Sequence, residues 1–258
     1  MSKLSQYQQF KPFFKELAEI SGQVVEKYFW GDDLGLELKS DDTPVTRADR
    51  EAESVLRERI GSRYPDHGII GEEFGEENTG AEFVWVLDPI DGTKSYAAGI
   101  PLYGTLLCLM HENRPVLGAI HQPGQRLFLI GDGQVTELNG KPVRVRDCSD
   151  LSQATLLTTD PLSPLRGGYG EVWQELALQV RLYRSWGDCW GYYMVASGRA
   201  HIMADLGLAD WDKLSLIPII RGAGGVITTW EGKDPQQGSS ILATVPGLHR
   251  PVLELLNQ

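Results

Sequence analysis

The stretch Phe83-Val-Trp-Val-Leu-Asp-Pro-Ile-Asp-Gly-Thr93 joins an apolar run to two carboxylates. Its first five residues are aromatic, β-branched or aliphatic, which is typical of a buried strand. Asp88 and Asp91 then follow among Pro and Gly, so the sequence predicts that two carboxylates emerge where a buried strand breaks into a turn. Because Asp, Pro and Gly also populate ordinary turns, this segment alone leaves a purely structural role open.

Further carboxylates precede this segment, in Gly71-Glu72-Glu73, at the end of a short apolar run over residues 67–70. Carboxylates at neighbouring strand ends repel one another unless cations or protons neutralise them. Hard oxygen ligands without His or Cys favour Mg²⁺. Gly92 and Thr93 lie at a predicted helix start, where their backbone N–H groups would bind a phosphate oxygen.

Two helices are predicted before this region and short strands after it. Apolar spacing predicts a helix over residues 8–29, and Thr46 with Asp49 three residues later predicts a helix start with a short variant of the capping box. The second helix would end at Arg63. Short apolar runs after Pro65 predict strands of a largely antiparallel sheet at 67–70, 83–87, 103–110, 116–120 and 127–130.

From about residue 150, predicted strands and helices alternate. We therefore expect an α+β half over residues 1–146 and an α/β half over residues 147–258, packed together because no Pro-, Gly- or Ser-rich linker separates them. The second half is predicted to contain strands at 154–159 and 226–229 and helices near 170–180, 189–198, 212–222 and 248–256.

Composition restricts the function classes. The 258-residue chain has 24 basic and 35 acidic side chains and a formal net charge of −11. Since its Lys and Arg residues are scattered, we expect no nucleic acid partner. No window approaches 18 consecutive apolar residues and the N-terminus has no uninterrupted apolar h-region, so we expect a cytoplasmic protein without a membrane partner. Three widely spaced cysteines predict neither a disulfide framework nor a zinc site.

The motifs together resemble the inositol monophosphatase superfamily of Mg²⁺-dependent phosphatases. This resemblance covers nearly the whole chain and implies a mixed α+β and α/β fold, a layered αβαβα sandwich, and a homodimer. It is carried by Gly71-Glu72-Glu73, Trp85-Val-Leu-Asp-Pro-Ile-Asp-Gly-Thr93, Trp211-Asp212 and Gly222-Ala-Gly-Gly225, with Lys39 and Pro44-Val-Thr-Arg-Ala-Asp49 matching the N-terminal segment of the family.

The resemblance also implies a set of metal ligands. Glu72, Asp88 and the carbonyl of Ile90 would bind a first Mg²⁺. Asp88, Asp91 and Asp212 would bind a second ion, and Glu72 would help to hold a weaker third ion through water. Two to three Mg²⁺ ions are therefore expected, with Mn²⁺ as a substitute.

The same resemblance assigns catalytic roles to Asp49, Thr93 and Glu72. Thr93 paired with Asp49 would orient and deprotonate the attacking water, which would attack phosphorus directly without a phosphoenzyme. Asp49 would also suit the first turn of a helix, where the dipole favours an acid. Lys39 would lie near the metals, or would be a solvated loop charge.

Substrate recognition is expected from the second half. The run Gly187-Asp188-Cys189-Trp190-Gly191 and the Ile-Pro pair that ends at Pro218 resemble the histidinol-phosphate phosphatase branch. Asp188 and Asp205 would place two carboxylates in the leaving-group pocket, which suits the ammonium and imidazole of histidinol phosphate. Asp188 would otherwise be a helix N-cap. The loop over residues 205–210 departs from the pattern of the branch.

We therefore expect a Mg²⁺-dependent phosphomonoesterase of a small phosphorylated metabolite. The expected substrate is histidinol phosphate, hydrolysed to histidinol in histidine biosynthesis. The departing loop also permits an inositol-1-phosphate or broad-specificity sugar monophosphatase. A non-catalytic regulator that binds Mg²⁺ or a phosphoester is disfavoured, because every catalytic position named above is filled.

Overall fold

The structure, a computed structural model, describes residues 7–31, 35–38 and 44–258 of the chain. Lys39, which the resemblance places near the metals, lies outside the described residues. No helix within the described ranges is long and apolar enough to cross a membrane.

Both predicted N-terminal helices are confirmed. A 3₁₀ turn over Gln8–Phe10 leads into α1 (Lys11–Phe29), and α2 spans Arg47–Arg63. Between the two helices β1 (Glu37–Leu38) pairs antiparallel with β2 (Pro44–Val45). The capping box forms at the start of α2, where the Thr46 backbone N–H donates to the Asp49 carboxylate at 2.7 Å.

The predicted antiparallel sheet is present and has eight strands. The strands are β3 (Gly68–Gly71), β4 (Gly75–Glu77), β5 (Phe83–Asp91), β6 (Gly104–His111), β7 (Arg114–Gln122), β8 (Leu127–Gly131), β9 (Thr136–Leu138) and β10 (Lys141–Val143). Their order in the sheet is β10-β9-β8-β7-β6-β5-β3-β4, and neighbouring strands are antiparallel apart from β3 and β5, which run parallel. Each predicted apolar run falls largely within one of the longer strands.

The predicted break after Leu87 is wrong, because β5 continues to Asp91. Its pairing with β6 shifts register between Asp88 and Asp91, as in a β-bulge. Pro89 lacks a backbone N–H and fits at such an irregularity. The hydroxyl of Thr105 on β6 donates to the Pro89 carbonyl at 2.8 Å, so this carbonyl stays paired inside the protein. The short helix α3 (Thr93–Ala97) follows directly.

The second half contains a five-stranded sheet and six α-helices within the described residues. The elements are β11 (Thr155–Leu157), α4 (Ser163–Arg166), α5 (Gly170–Gln179), β12 (Leu182–Arg184), α6 (Asp188–Ala196), β13 (Ile202–Leu206), α7 (Asp210–Lys213), α8 (Leu216–Gly222), β14 (Val226–Thr228), β15 (Ser240–Thr244) and α9 (Pro246–Leu256). The strand order is β12-β11-β13-β15-β14. The predicted helix over residues 212–222 is two helices, α7 and α8, separated by two residues.

The layers follow the expected αβαβα order. Helices α1 and α2 cover one face of the large sheet around the buried Trp85. Helices α6 and α8 lie between the two sheets in the central apolar cluster. Helices α5 and α9 cover the outer face of the small sheet around Trp230. The central cluster joins residues of both halves, such as Leu106 and Met203. The boundary near residue 146 stays a prediction.

Candidate metal and phosphate site

Three carboxylates meet where the two halves of the chain join. Asp88 and Asp91 lie on β5, and Asp212 lies on α7 of the second half. Each offers an oxygen atom, and these three atoms lie within 4.8 Å of one another. In a regular strand, residues three positions apart point to opposite faces. The bulge in β5 interrupts this alternation, so the side chains of Asp88 and Asp91 can belong to one carboxylate cluster.

The environment of this cluster disfavours negative charge. Burial, followed by the charges of Glu72 and Asp91, raises the pKa of Asp88 well above its usual value. Burial and the charge of Asp188 do the same to the pKa of Asp91. Burial raises the pKa of Asp212 to about 7, although the Ala209 backbone N–H donates to its carboxylate at 2.7 Å. The cluster therefore needs protons or a cation.

These residues fit a divalent cation. Asp88 is 1% exposed, and its Oδ1 atom accepts no hydrogen bond from the described residues. A buried carboxylate oxygen without a donor is costly unless another partner, such as a metal ion, approaches it. Glu72 and Ile90 line the same cavity of about 440 Å³ as the three aspartates. The donors are hard oxygens, which matches Mg²⁺.

Thr93 and Asp49 are brought together across the start of α3. The Thr93 hydroxyl donates to the Ile90 carbonyl at 2.9 Å and also lies 3.5 Å from Asp49 Oδ1. Asp49 has no exposed surface, and burial raises its pKa to about 6. Its other oxygen, Oδ2, accepts the capping hydrogen bond from Thr46. One oxygen of Asp49 therefore caps the start of α2, and the other faces the Thr93 hydroxyl.

Gly92 lies at the cavity, at a position that leaves no space for a side chain. Its φ of +89° lies in the left-handed region, and a Cβ added there would lie 2.7 Å from the Leu102 carbonyl oxygen and 3.0 Å from Asp188 Oδ2. Only glycine fits both restrictions without strain. Gly92 and Thr93 line the cavity beside the carboxylate cluster, where a phosphate is predicted to bind.

Glu53 supports the site from outside the cavity, and no sequence motif identifies it. This carboxylate has no exposed surface, and it accepts hydrogen bonds from the backbone N–H groups of Glu73 at 2.7 Å and Phe74 at 3.2 Å. Arg57 donates a third at 2.8 Å. Glu53 thereby fixes the turn that carries Glu72. Its place on α2 one turn after Asp49, on the inward face, is the one signal that the sequence offers.

Asp188 starts α6 in an unusual conformation. Its φ of +51° is left-handed, and its backbone N–H donates to the Thr159 hydroxyl at 2.8 Å. The N-cap of α6 is Gly187, so the interpretation of Asp188 as the N-cap is wrong. The Asp188 side chain is half-buried, and burial, with the charges of Asp205 and Asp212, raises its pKa to about 7.

Asp205 on β13 is buried, and protein donors engage both of its carboxylate oxygens. Oδ1 accepts from the Thr159 backbone N–H at 2.7 Å and from the Thr158 hydroxyl at 3.1 Å. Oδ2 accepts from the Thr159 hydroxyl at 2.9 Å and from the Tyr192 hydroxyl at 3.1 Å. Asp205 does line a second cavity of about 320 Å³ with Asp188. Its direct contact with a substrate stays a prediction.

A backbone contact joins α6 to the carboxylate cluster. The N–H of Cys189 donates a short hydrogen bond to Asp91 Oδ2. The sequence alone gives no sign of this contact, because the two residues are far apart in the chain and the donor is a main-chain group.

Lys94 is a further neighbour of the carboxylate cluster. It lines both cavities, and its positive charge lowers the pKa of Asp188.

Comparison with known proteins gives a consistent set of relatives. The inositol monophosphatase family model matches residues 6–258. The chain is similar to histidinol-phosphatase of Chlorobaculum parvum, with 39% identity over 84% of this chain and 85% of that protein. It is also similar to histidinol-phosphatase of Mycobacterium tuberculosis, with 34% identity over 93% of this chain and 95% of that protein.

Among solved structures, an inositol monophosphatase from Zymomonas mobilis superposes with a TM-score of 0.87. It is 31% identical in sequence, and the alignment covers 98% of this chain and 99% of that one. The similarity therefore extends over both sheets and all the layers described above.

Proposed function

Because this chain belongs to the inositol monophosphatase family of phosphatases, we propose that it is a Mg²⁺-dependent phosphomonoesterase that hydrolyses histidinol phosphate to histidinol. The observation that carries the choice of substrate is the carboxylate of Asp188, which lies against Gly92 in the cavity of the acidic cluster. The proposed biological role is the corresponding step of histidine biosynthesis.

Glu72, Asp88, Asp91, Asp212 and the carbonyl of Ile90 are the proposed metal ligands. The donor-free Oδ1 of Asp88 and the raised pKa values of the cluster support this assignment. Two to three Mg²⁺ ions, or Mn²⁺ in their place, would when bound supply positive charge that acidifies water and offsets the charge of the phosphate.

Thr93 and Asp49 are proposed to activate the attacking water. The Thr93 oxygen takes a proton from this water while Thr93 passes its own proton to Asp49 Oδ1, 3.5 Å away. A buried carboxylate with a pKa of about 6 is suited to accept a proton near neutral pH. The water oxygen bonds to phosphorus as the opposite bond to the leaving alkoxide breaks, and the alkoxide takes a proton from solvent water to leave as the alcohol. The backbone N–H groups of Gly92 and Thr93 orient the phosphate.

The leaving-group side of the cavity favours a cation. The second cavity is lined by one basic residue, Lys94, and by five acidic residues: Asp91, Asp160, Asp188, Asp205 and Asp212. An ammonium or imidazolium group would pair with Asp188 by a charge-assisted hydrogen bond. A neutral polyol gains less from such a carboxylate.

The second candidate function is an inositol-1-phosphate or broad-specificity sugar monophosphatase. It is favoured by the hydrogen bonds to Asp205, since protein donors already engage both oxygens of this carboxylate. Only Asp188 of the predicted pair is then left to recognise a cation, which weakens the argument for a cationic substrate. The homodimer implied by the resemblance stays a prediction.

A substrate panel tests the proposal. Phosphate release is measured from histidinol phosphate, inositol 1-phosphate and glycerol 2-phosphate, each with Mg²⁺ and with a chelator. We expect turnover only with the metal, and the highest kcat/KM for histidinol phosphate. Equal or higher kcat/KM for inositol 1-phosphate would favour the second candidate. Undiminished turnover in the chelator would contradict the Mg²⁺ requirement.

A further inference from the structure

The left-handed backbone of Asp188 must be held by its surroundings. A φ of +51° is uncommon for a non-glycine residue, although Asp and Asn adopt it more readily than other residues, and neighbouring contacts can select it. Three contacts act here. The N–H of Asp188 donates to the Thr159 hydroxyl, and the N–H of Cys189 donates to Asp91. Gly187 packs so closely against Thr159 that a Cβ added to Gly187 would lie 2.2 Å from the Cα of Thr159.

The direction of the hydrogen bonds through Thr159 is fixed. Asp205 as a carboxylate can only accept, so the Thr159 hydroxyl donates its single hydrogen to Asp205 Oδ2 at 2.9 Å. The oxygen of that hydroxyl is then left to accept from the N–H of Asp188 at 2.8 Å. The buried side chain of Asp205 thus orients a hydroxyl, which in turn holds the backbone of Asp188.

We propose that Thr159 is a positioning residue for substrate specificity. Its hydroxyl is oriented by the Asp205 side chain and holds the backbone N–H of Asp188 in place. This inference rests on the proposed function, because it takes Asp188 as the group that binds the cationic leaving group. Asp205 acts through Thr159 and Asp188 and needs no contact with the substrate. The pair Asp205 and Thr159 sets where the Asp188 carboxylate stands beside Gly92.

The chain offers a matched control for Thr159. The hydroxyl of Thr158 donates to the same carboxylate, at Asp205 Oδ1, with a distance of 3.1 Å, and no hydrogen bond joins it to Asp188 among the described residues. Thr158→Val and Thr159→Val therefore remove equivalent hydroxyls from Asp205. Only Thr159→Val also leaves the N–H of Asp188 without its acceptor. Thr159→Ser keeps the hydroxyl and should restore the wild-type behaviour.

The test measures kcat/KM for histidinol phosphate and for glycerol 2-phosphate, a reference ester whose alcohol part carries no charge, in the wild type and the three variants. Mg²⁺ affinity is measured by calorimetry in parallel. We expect Thr159→Val to reduce the preference for histidinol phosphate by at least about tenfold. The preference should be retained in Thr158→Val and Thr159→Ser, with Mg²⁺ affinity unchanged in all of them.

The outcomes separate this inference from the proposed function. A wild type without preference for histidinol phosphate overturns the proposed function, and the positioning role with it. A wild type that shows the preference, with a Thr159→Val variant that keeps it, overturns the positioning role alone. An equal loss in Thr158→Val does the same, since it would assign the effect to Asp205 in general. Collapse of Mg²⁺ affinity in Thr159→Val would place the effect at Asp91 and also overturn it.

Discussion

The backbone N–H of Glu73 donates a 2.7 Å hydrogen bond to the carboxylate of Glu53, a side chain without exposed surface. The bond joins helix α2 to the turn that follows strand β3. Gly71 allows this approach, because a Cβ at that position would lie 2.0 Å from Glu53 Oε1. The position of the neighbouring Glu72 therefore depends on a carboxylate that does not itself line the cavity.

Glu53→Gln is expected to weaken Mg²⁺ binding by about 10- to 100-fold, the effect usual for a group that orients a metal ligand. The amide keeps the shape, but an NH₂ group replaces one of the two acceptor oxygens, so the side chain cannot accept from both Glu73 and Phe74. Calorimetry measures the affinity. Glu58→Gln, an exposed substitution on the same helix, is the control and should leave the affinity unchanged. Equal affinities in the two variants would contradict this role.

Asp88→Asn is expected to reduce Mg²⁺-dependent turnover by at least about a hundredfold while the protein stays folded. The substitution keeps the shape of the side chain and removes a charge that two ions are proposed to share. Phosphate release and a thermal melt are measured together. Asp66→Asn on the surface serves as the control. Near-normal turnover at saturating Mg²⁺ would rule out Asp88 as a ligand.

Thr93→Ala separates activation of water from metal binding. The hydroxyl lies near Asp49 and Ile90, and it is proposed to orient the nucleophile, so we expect kcat to fall while Mg²⁺ affinity is largely kept. Thr93→Ser keeps the hydroxyl and should retain most of the rate. If Mg²⁺ affinity collapses in Thr93→Ala, the hydroxyl belongs to the metal site instead.

Asp188→Asn is expected to lower kcat/KM for histidinol phosphate. The loss should correspond to about 1.5 to 3 kcal/mol of transition-state stabilisation, the scale of a hydrogen bond to a charged group. The kcat/KM for an ester whose alcohol part carries no charge should barely change. Asn tolerates the left-handed region well, so the fold and the start of α6 should be preserved. The measurement compares both esters at one pH and one Mg²⁺ concentration. Equal losses on both esters would indicate general damage to the site.

The effect of Mg²⁺ on thermal stability is expected to grow with pH. Burial raises the pKa values of Asp49, Asp188 and Asp212 from 3.8 to about 6, 7 and 7. Without metal, the folded protein therefore binds more protons than the unfolded chain between these values, and its stability falls as pH rises from about 4 to about 7. We expect Mg²⁺ to compete with protons for the carboxylate cluster that contains Asp212.

Melting temperatures with and without Mg²⁺ at about pH 5.5 and about pH 8 measure this effect. We expect the larger increase in Tm at the higher pH. Asp88→Asn, which lacks a proposed ligand, should show a smaller increase at both values. An increase in the wild type that is the same at both pH values would mean that protons and Mg²⁺ do not compete for the cluster.

The sequence predicts those parts of the fold in which the signal is local. Helix α2 is marked by the capping pair Thr46 and Asp49, and the long strands are marked by continuous apolar runs. Strands β4, β9 and β10 have three residues each, too few for a periodic pattern. The extension of β5 through Pro89 depends on pairing with β6, which no local pattern encodes.

The candidate site divides in the same way. Asp88, Asp91 and Asp212 are recognisable because their motifs are long, and the structure brings the three together. Glu53 and Thr159 are not recognisable, because they act through hydrogen bonds to distant backbone groups. The conformation of Asp188 and the four donors to Asp205 likewise arise only when β11, β13 and α6 assemble.

The contact between Asp91 and position 189 is made by the main chain, and this has a consequence for how such enzymes diverge. Every residue type but proline carries a backbone N–H, so replacing the Cys189 side chain does not by itself remove the hydrogen bond to Asp91. The same holds for the N–H of Asp188 and its bond to Thr159. Descendants of one ancestral chain can therefore exchange the side chains at the start of this helix, and with them the compound they accept, while the helix stays attached to an unaltered reaction centre.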